Sequence, residues 1–164
     1  MKLAKPLLAA VAVLAIAGAL VYALTEKPAA PAATFTTLEG KSISLADLRG
    51  KIVLVNFWAT SCPGCVKEMP DLAATYNQYK SRGFEIVAVA MSYDPPNYVA
   101  NFAKTHQLPF PVAIDADGAH ARAFGNVQLT PTSFIIGKDG SIVEEKLGDL
   151  DFAKLKSMLD KELS

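Results

Sequence analysis

Hydrophobic positions along this chain follow three different patterns. Residues 7–24, LLAAVAVLAIAGALVYAL, form an unbroken apolar run whose single polar group is the Tyr22 hydroxyl. Its 18 residues reach the lower limit for a helix that crosses a bilayer. Residues 25–34, TEKPAAPAAT, are rich in Pro and Ala and poor in large apolar side chains, the composition of a semi-extended tether. From residue 35 onward the pattern is that of a folded domain. Three units follow: an anchor or signal segment at 1–24, a linker at 25–34 and a domain at 35–164.

Within the domain the period changes repeatedly. Residues 41–45 alternate polar and apolar, as in a short strand, and 47–51, DLRGK, read as a turn. Residues 52–58, IVLVNFW, are almost continuously apolar and rich in branched and aromatic side chains, which suits a central strand covered on both faces. From Pro63 to about Arg82 the period becomes helical, with Val66, Met69, Leu72, Ala73, Tyr76 and Tyr79 on one side and Gly83 as the stop. Residues 84–91 predict a second buried strand, 98–106 a helix, 111–114 a short strand and 119–124 a short helix. Strands at 132–136 and 142–147 flank the turn Lys138-Asp139-Gly140. An amphipathic helix over 150–163 closes the chain, with Asp149 or Asp151 placed to cap it. Strands alternating with helices predict an α/β domain around a parallel core, with the last hairpin as an antiparallel edge.

Charge adds little to this picture. Sixteen Lys and Arg balance sixteen Asp and Glu, and no basic cluster offers a grip on nucleic acid. Lys2 and Lys5 ahead of the apolar run favour a cytoplasmic N-terminus and an exported domain. The run fits an uncleaved anchor better than a signal peptide, whose apolar core is usually about 7–15 residues. Cleavage near Ala23 or Ala32 is the competing reading.

The chemistry points to Cys62 and Cys65, the only cysteines in the chain. Cys62 falls where the buried strand ends and a helix begins. Free N–H groups and the positive end of the helix dipole favour thiolate over thiol there. Pro63 suits a first helical position, which needs no donor. Cys65 sits one turn further in. The pattern predicts that Cys62 attacks a disulfide and that Cys65 resolves the mixed disulfide. A structural staple is disfavoured, because so short a loop gains little entropy on closure. Zinc would need four ligands, and only His106 and His120 could join the pair, at a spacing that fits no common module.

These residues, FWATSCPGC after a buried strand, resemble the thioredoxin superfamily and, within it, the TlpA/ResA-like thiol–disulfide oxidoreductases. Pro70, the stretch LTPTSF at 129–134 and SISLADLRG at 42–50 carry the likeness over the whole domain. The resemblance implies a thioredoxin-like fold, with a central mixed sheet flanked by helices. It implies a cis peptide bond before Pro131, facing the cysteines, and a backbone at Thr130 that pairs with substrate. It implies that Asn56 stands where many thioredoxins have a buried aspartate, and that Glu68, three residues after Cys65, handles the proton instead. Trp58 would pack beside the site, and the Pro63-Gly64 pair would tune the reduction potential. Ser61 departs from the pattern, which usually has Trp there. No metal and no cofactor beyond the Cys62–Cys65 disulfide are implied.

The function implied is an oxidoreductase tethered to the cytoplasmic membrane through residues 7–24, with its domain on the periplasmic side. Its partners would be disulfides or thiols of exported proteins, apocytochrome c among them, and a membrane electron donor. Two other functions use the same scaffold. A Cu(I)-binding chaperone would hold copper on soft thiolates, with Met69 nearby but no evident third ligand. A peroxiredoxin-like peroxidase would need a Thr where Ala59 stands.

Overall fold

The computed structural model describes Leu14, residues 16–18 and residues 27–164. Among the described residues no helix is long and apolar enough to cross a membrane. The apolar run at 7–24 lies for the most part outside them.

The seven apolar residues of β3 (Ile52–Trp58) form the buried middle of a five-stranded mixed sheet. On one side β4 (Phe84–Ala90) pairs parallel to it, and β5 (Val112–Ile114) pairs parallel to β4. On the other side β6 (Thr132–Ile136) runs antiparallel to β3, and β7 (Ile142–Leu147) antiparallel to β6. A separate hairpin, β1 (Thr34–Thr36) with β2 (Ser42–Ser44), leads into a 3-10 turn over Leu45–Leu48. The helices of the domain are α1 (Pro63–Tyr79), α2 (Pro96–Thr105), α3 (Ala119–Ala123) and α4 (Phe152–Glu162). Asp151 caps α4 by accepting from the Lys154 N–H at 3.0 Å.

Alternation along β3 divides the core in two. Ile52, Leu54 and Trp58 join Cys65, Met69 and Leu72 of α1 with Leu155 and Leu159 of α4. Val53, Val55 and Phe57 join Phe35 of the first hairpin, Ala121 of α3 and Phe124. Asn56 lies on the α1 side, a polar side chain in an otherwise apolar row. Full burial of one large apolar side chain is worth about 1.5–3 kcal/mol, so both layers hold β3 in place.

The segment read as a semi-extended tether is partly engaged. Ala29 bridges to Ser141, the Ala30 N–H donates to the Gly140 carbonyl at 2.9 Å, and the Ile142 N–H donates to the Pro28 carbonyl at 2.7 Å. Two open backbone groups at the tip of the β6–β7 hairpin recruit it, since unpaired edge groups bind any extended chain that passes. Ala33 is buried just ahead of β1.

Candidate active site

Strand β3 and helix α1 meet at residues 59–62, and this junction builds the site. Cys62 is the residue that caps α1, extended at φ −96° and ψ 107°, and its Sγ accepts from the Cys65 N–H at 3.2 Å. Pro63 is the first helical residue. Cys62 and Cys65 are joined as a disulfide, with Cα atoms 5.3 Å apart. Their exposure differs: Cys62 is half-buried, whereas Cys65 has no exposed surface and packs into the α1 core. One sulfur can therefore be reached from solvent and the other cannot. The α1 N-terminus favours negative charge at the reachable one.

The turn before Cys62 is tied down by a carboxylate from another loop. Buried Asp94, after β4, accepts from the Thr60 N–H at 2.5 Å and from the Thr60 hydroxyl at 2.6 Å.

Opposite the cysteines, the Thr130–Pro131 peptide bond is cis. A Cβ on Gly64 would lie 3.6 Å from the Pro131 ring and 3.1 Å from Asp149 Oδ1, so the proline loop sits directly against the CxxC turn. The Thr130 N–H and carbonyl have no backbone partner among the described residues. Its hydroxyl lies 3.4 Å from the exposed Tyr93 hydroxyl.

Behind the disulfide lies a polar group buried in the α1 core. Glu68 is only 4% exposed. Its Oε1 accepts from Asn56 Nδ2 at 3.2 Å and its Oε2 from the Leu150 N–H at 3.3 Å. Burial pushes its carboxyl above the usual glutamate value, and the nearby Asp149 carboxylate adds to the rise; the Leu150 and Asn56 hydrogen bonds oppose it. Trp58 is wholly buried against Phe102, ring centroids 5.2 Å apart.

The fold thus gathers Asn56, Trp58, Cys62, Pro63, Gly64, Cys65, Glu68, Thr130 and Pro131 at one end of the sheet. Asp94, Ser133 and the Leu150 N–H also belong to this end and were not singled out from the sequence; Asp149, read there as a possible helix cap, belongs to it too. Only Ser133 left a signal there, as a polar residue inside an apolar strand. His106 stacks on Phe102, with ring centroids 4.1 Å apart, and lines a cleft with Thr60, whereas His120 is half-buried over Phe35.

The Redoxin family model matches residues 25–159. The thiol-disulfide oxidoreductase ResA of Bacillus thuringiensis subsp. konkukian is 43% identical over 132 residues, which is 80% of this chain and 75% of that one. A thiol:disulfide interchange protein of the thioredoxin family from Chlorobium tepidum superposes with a TM-score of 0.77 at 32% identity, over 85% of this chain and 99% of that one. StoA from Bacillus subtilis does so with a TM-score of 0.68 at 31% identity, over 79% and 98%. With a disulfide at the mouth of α1, one sulfur reachable and one enclosed, and a cis-proline loop against them, the chain belongs to the Redoxin family and is a ResA-like thiol–disulfide oxidoreductase of thioredoxin fold.

Proposed function

We propose that this chain is an extracytoplasmic reductant of disulfides in exported proteins, held at the cytoplasmic membrane through residues 7–24 and kept reduced by a membrane electron donor. In that arrangement the linker of 25–34 joins the anchor to the domain at 35–164, with its residues 28–34 packed on that domain. Apocytochrome c, whose thiols must be free before haem attachment, is the substrate of first choice. The observation that carries the chemistry is the unequal exposure of the two sulfurs at the α1 N-terminus.

The exchange runs in two displacements. Thiolate at Cys62 attacks one sulfur of the substrate disulfide, and the other substrate sulfur leaves as a thiolate and takes a proton. Cys65 then gives its proton to the Glu68 carboxylate, attacks Cys62 Sγ and releases the second substrate sulfur, which is protonated in turn. Two electrons pass from the dithiol to the substrate. Glu68 is suited to the proton because it lies one helical turn from Cys65, buried and held by Asn56 and Leu150. The free backbone of Thr130 supports pairing with an extended substrate segment, and Pro131 sets its distance from the sulfurs. Pro63 and Gly64 keep the turn narrow, and Trp58 backs it.

The experiment is trapping. In the full chain, Cys65→Ser should accumulate a mixed disulfide between Cys62 and a cysteine-bearing cytochrome peptide, and Cys62→Ser should accumulate none. Trapping through Cys65 alone would overturn the assignment. Stoichiometric Cu(I) binding without disulfide turnover would favour the copper-chaperone reading, and peroxide turnover the peroxidase reading.

A further inference from the structure

Asn56 and Ser133 face each other across the β3–β6 ladder. Both are fully buried, on the face where Ile52, Leu54, Trp58 and Ile135 build the apolar layer against α1. Asn56 Nδ2 donates to Glu68 Oε1 at 3.2 Å and to Ser133 Oγ at 2.9 Å. Asn56 Oδ1 is buried with no partner among the described residues. Ser133 Oγ accepts from Asn56 and donates to no group among the described residues. An unmet acceptor and an unmet donor therefore lie within one buried pair, an arrangement that needs a reason.

The reason is symmetry of the amide. Half a turn of the Asn56 side-chain amide exchanges Nδ2 with Oδ1 at nearly the same positions. The oxygen then stands where the nitrogen stood, within reach of both Glu68 and the Ser133 hydroxyl. A carboxylate has only lone pairs to offer and needs the nitrogen; a carboxylic acid has a proton to place and needs the oxygen.

We propose that Asn56 and Ser133 form a two-way hydrogen-bond rotor for Glu68, donating to it when it is ionised and accepting from it when it holds the proton. Ser133 serves both orientations because a hydroxyl accepts from the nitrogen and donates to the oxygen. The rotor rests on the reading of Glu68 as proton acceptor for Cys65. When Cys65–SH passes its proton to the carboxylate, Cys65 becomes thiolate and Glu68 becomes acid. The amide turns, and the new O–H finds Oδ1. When the proton leaves, the amide turns back. Asn56 and Ser133 are positioning residues, since neither meets the substrate. Cys65 lies three residues before Glu68 on the same helix, Asp149 acts on it from ahead of α4, neutral Asn56 meets it from β3, and β7 sets Lys146 opposite Ser133 on the same sheet face; among the described residues no Lys or Arg forms an ion pair with Glu68.

The test is NMR on the reduced full-length chain in detergent micelles, following the Glu68 carboxyl carbon and the Asn56 side-chain amide from acid to alkaline pH. The Asn56 amide signals should move with the same midpoint as the Glu68 carboxyl and should stop titrating in Glu68→Gln. Amide signals that stay flat through the Glu68 midpoint overturn the rotor and leave the proton-acceptor reading standing. Single-turnover quenching supplies the kinetic arm. Ser133→Ala and Asn56→Leu should lengthen the life of the mixed disulfide about tenfold, below the ~10²–10⁴ of a whole acid–base group, with the Cys62 attack unchanged. Ser133→Thr, which keeps the hydroxyl, should restore it. Equal slowing of both steps, or of neither, overturns the rotor. A Glu68→Gln enzyme that resolves at the normal rate overturns the proton-acceptor reading and the rotor with it.

Discussion

At the scale of single residues, Glu68 carries the largest stake. A carboxyl whose native value is raised binds its proton more tightly folded than unfolded. In the pH window from its ordinary value of 4.5 up to the raised native value, the folded state holds more protons than the unfolded one, so stability falls as pH rises. Above that window the whole penalty of a buried carboxylate is present. Glu68→Gln keeps an acceptor for the Leu150 N–H and cannot ionise. Urea denaturation of the oxidised protein should show the variant gaining on the parent from weakly acid pH to neutrality, by about 1.4 kcal/mol for each factor of ten by which folding tightens the hold on the proton. A constant difference at every pH would mean that the fold does not raise the Glu68 carboxyl. The neighbouring Asn56 and Ser133 show how such a group is tolerated: they put a polar pair beside it in an otherwise apolar layer.

Among the elements, the loops after β3 and β4 are joined by a single carboxylate. Asp94 satisfies two Thr60 donors, and the Thr60 N–H has no other acceptor among the described residues. Asp94→Ala should cost about 1–3 kcal/mol for the donors left unmet, read by urea denaturation, and slow thiol exchange because the turn before Cys62 loosens. Unchanged stability and rate would show that the turn is held by packing alone. The same elements show how far sequence could reach. Strands at 132–136 and 142–147 coincide with the observed β6 and β7, because hairpin chemistry and alternation are local signals. The α1 start at Pro63 was legible for the same reason. The 3-10 turn over Leu45–Leu48 was not, since burial of Leu45 and Leu48 against the second core layer decides it. Nor could the tie between Asp94 and Thr60 be seen, as 34 residues separate them and nothing in either neighbourhood marks the other. Ser133 was hidden by the opposite circumstance: it sits in a strand whose existence was plain, but its partner Asn56 is fixed by the β3–β6 register, which sequence does not state.

On the scale of the molecule, the segment 28–30 and the CxxC turn occupy opposite ends of the sheet. Strand β3 runs from Ile52 to Trp58 and delivers Cys62 beyond its last residue; β6 runs back from Thr132 beside the proline loop to Ile136, and the hairpin tip that holds Pro28 and Ala30 follows. Ala30→Pro removes the N–H that Gly140 accepts. The variant should lose about 0.5–1.5 kcal/mol and expose residues 28–33 to proteolysis, with disulfide exchange at the far end unaltered. A loss of exchange activity would show that the two ends communicate. Seven strand residues at ~3.3 Å each set the separation at roughly 23 Å. Lys27 and Pro28 thus lie at the base of the domain while the reactive sulfur looks out from its crown. A bead or a fused partner attached at that base would leave Cys62 turned outward, open to visitors arriving from solution.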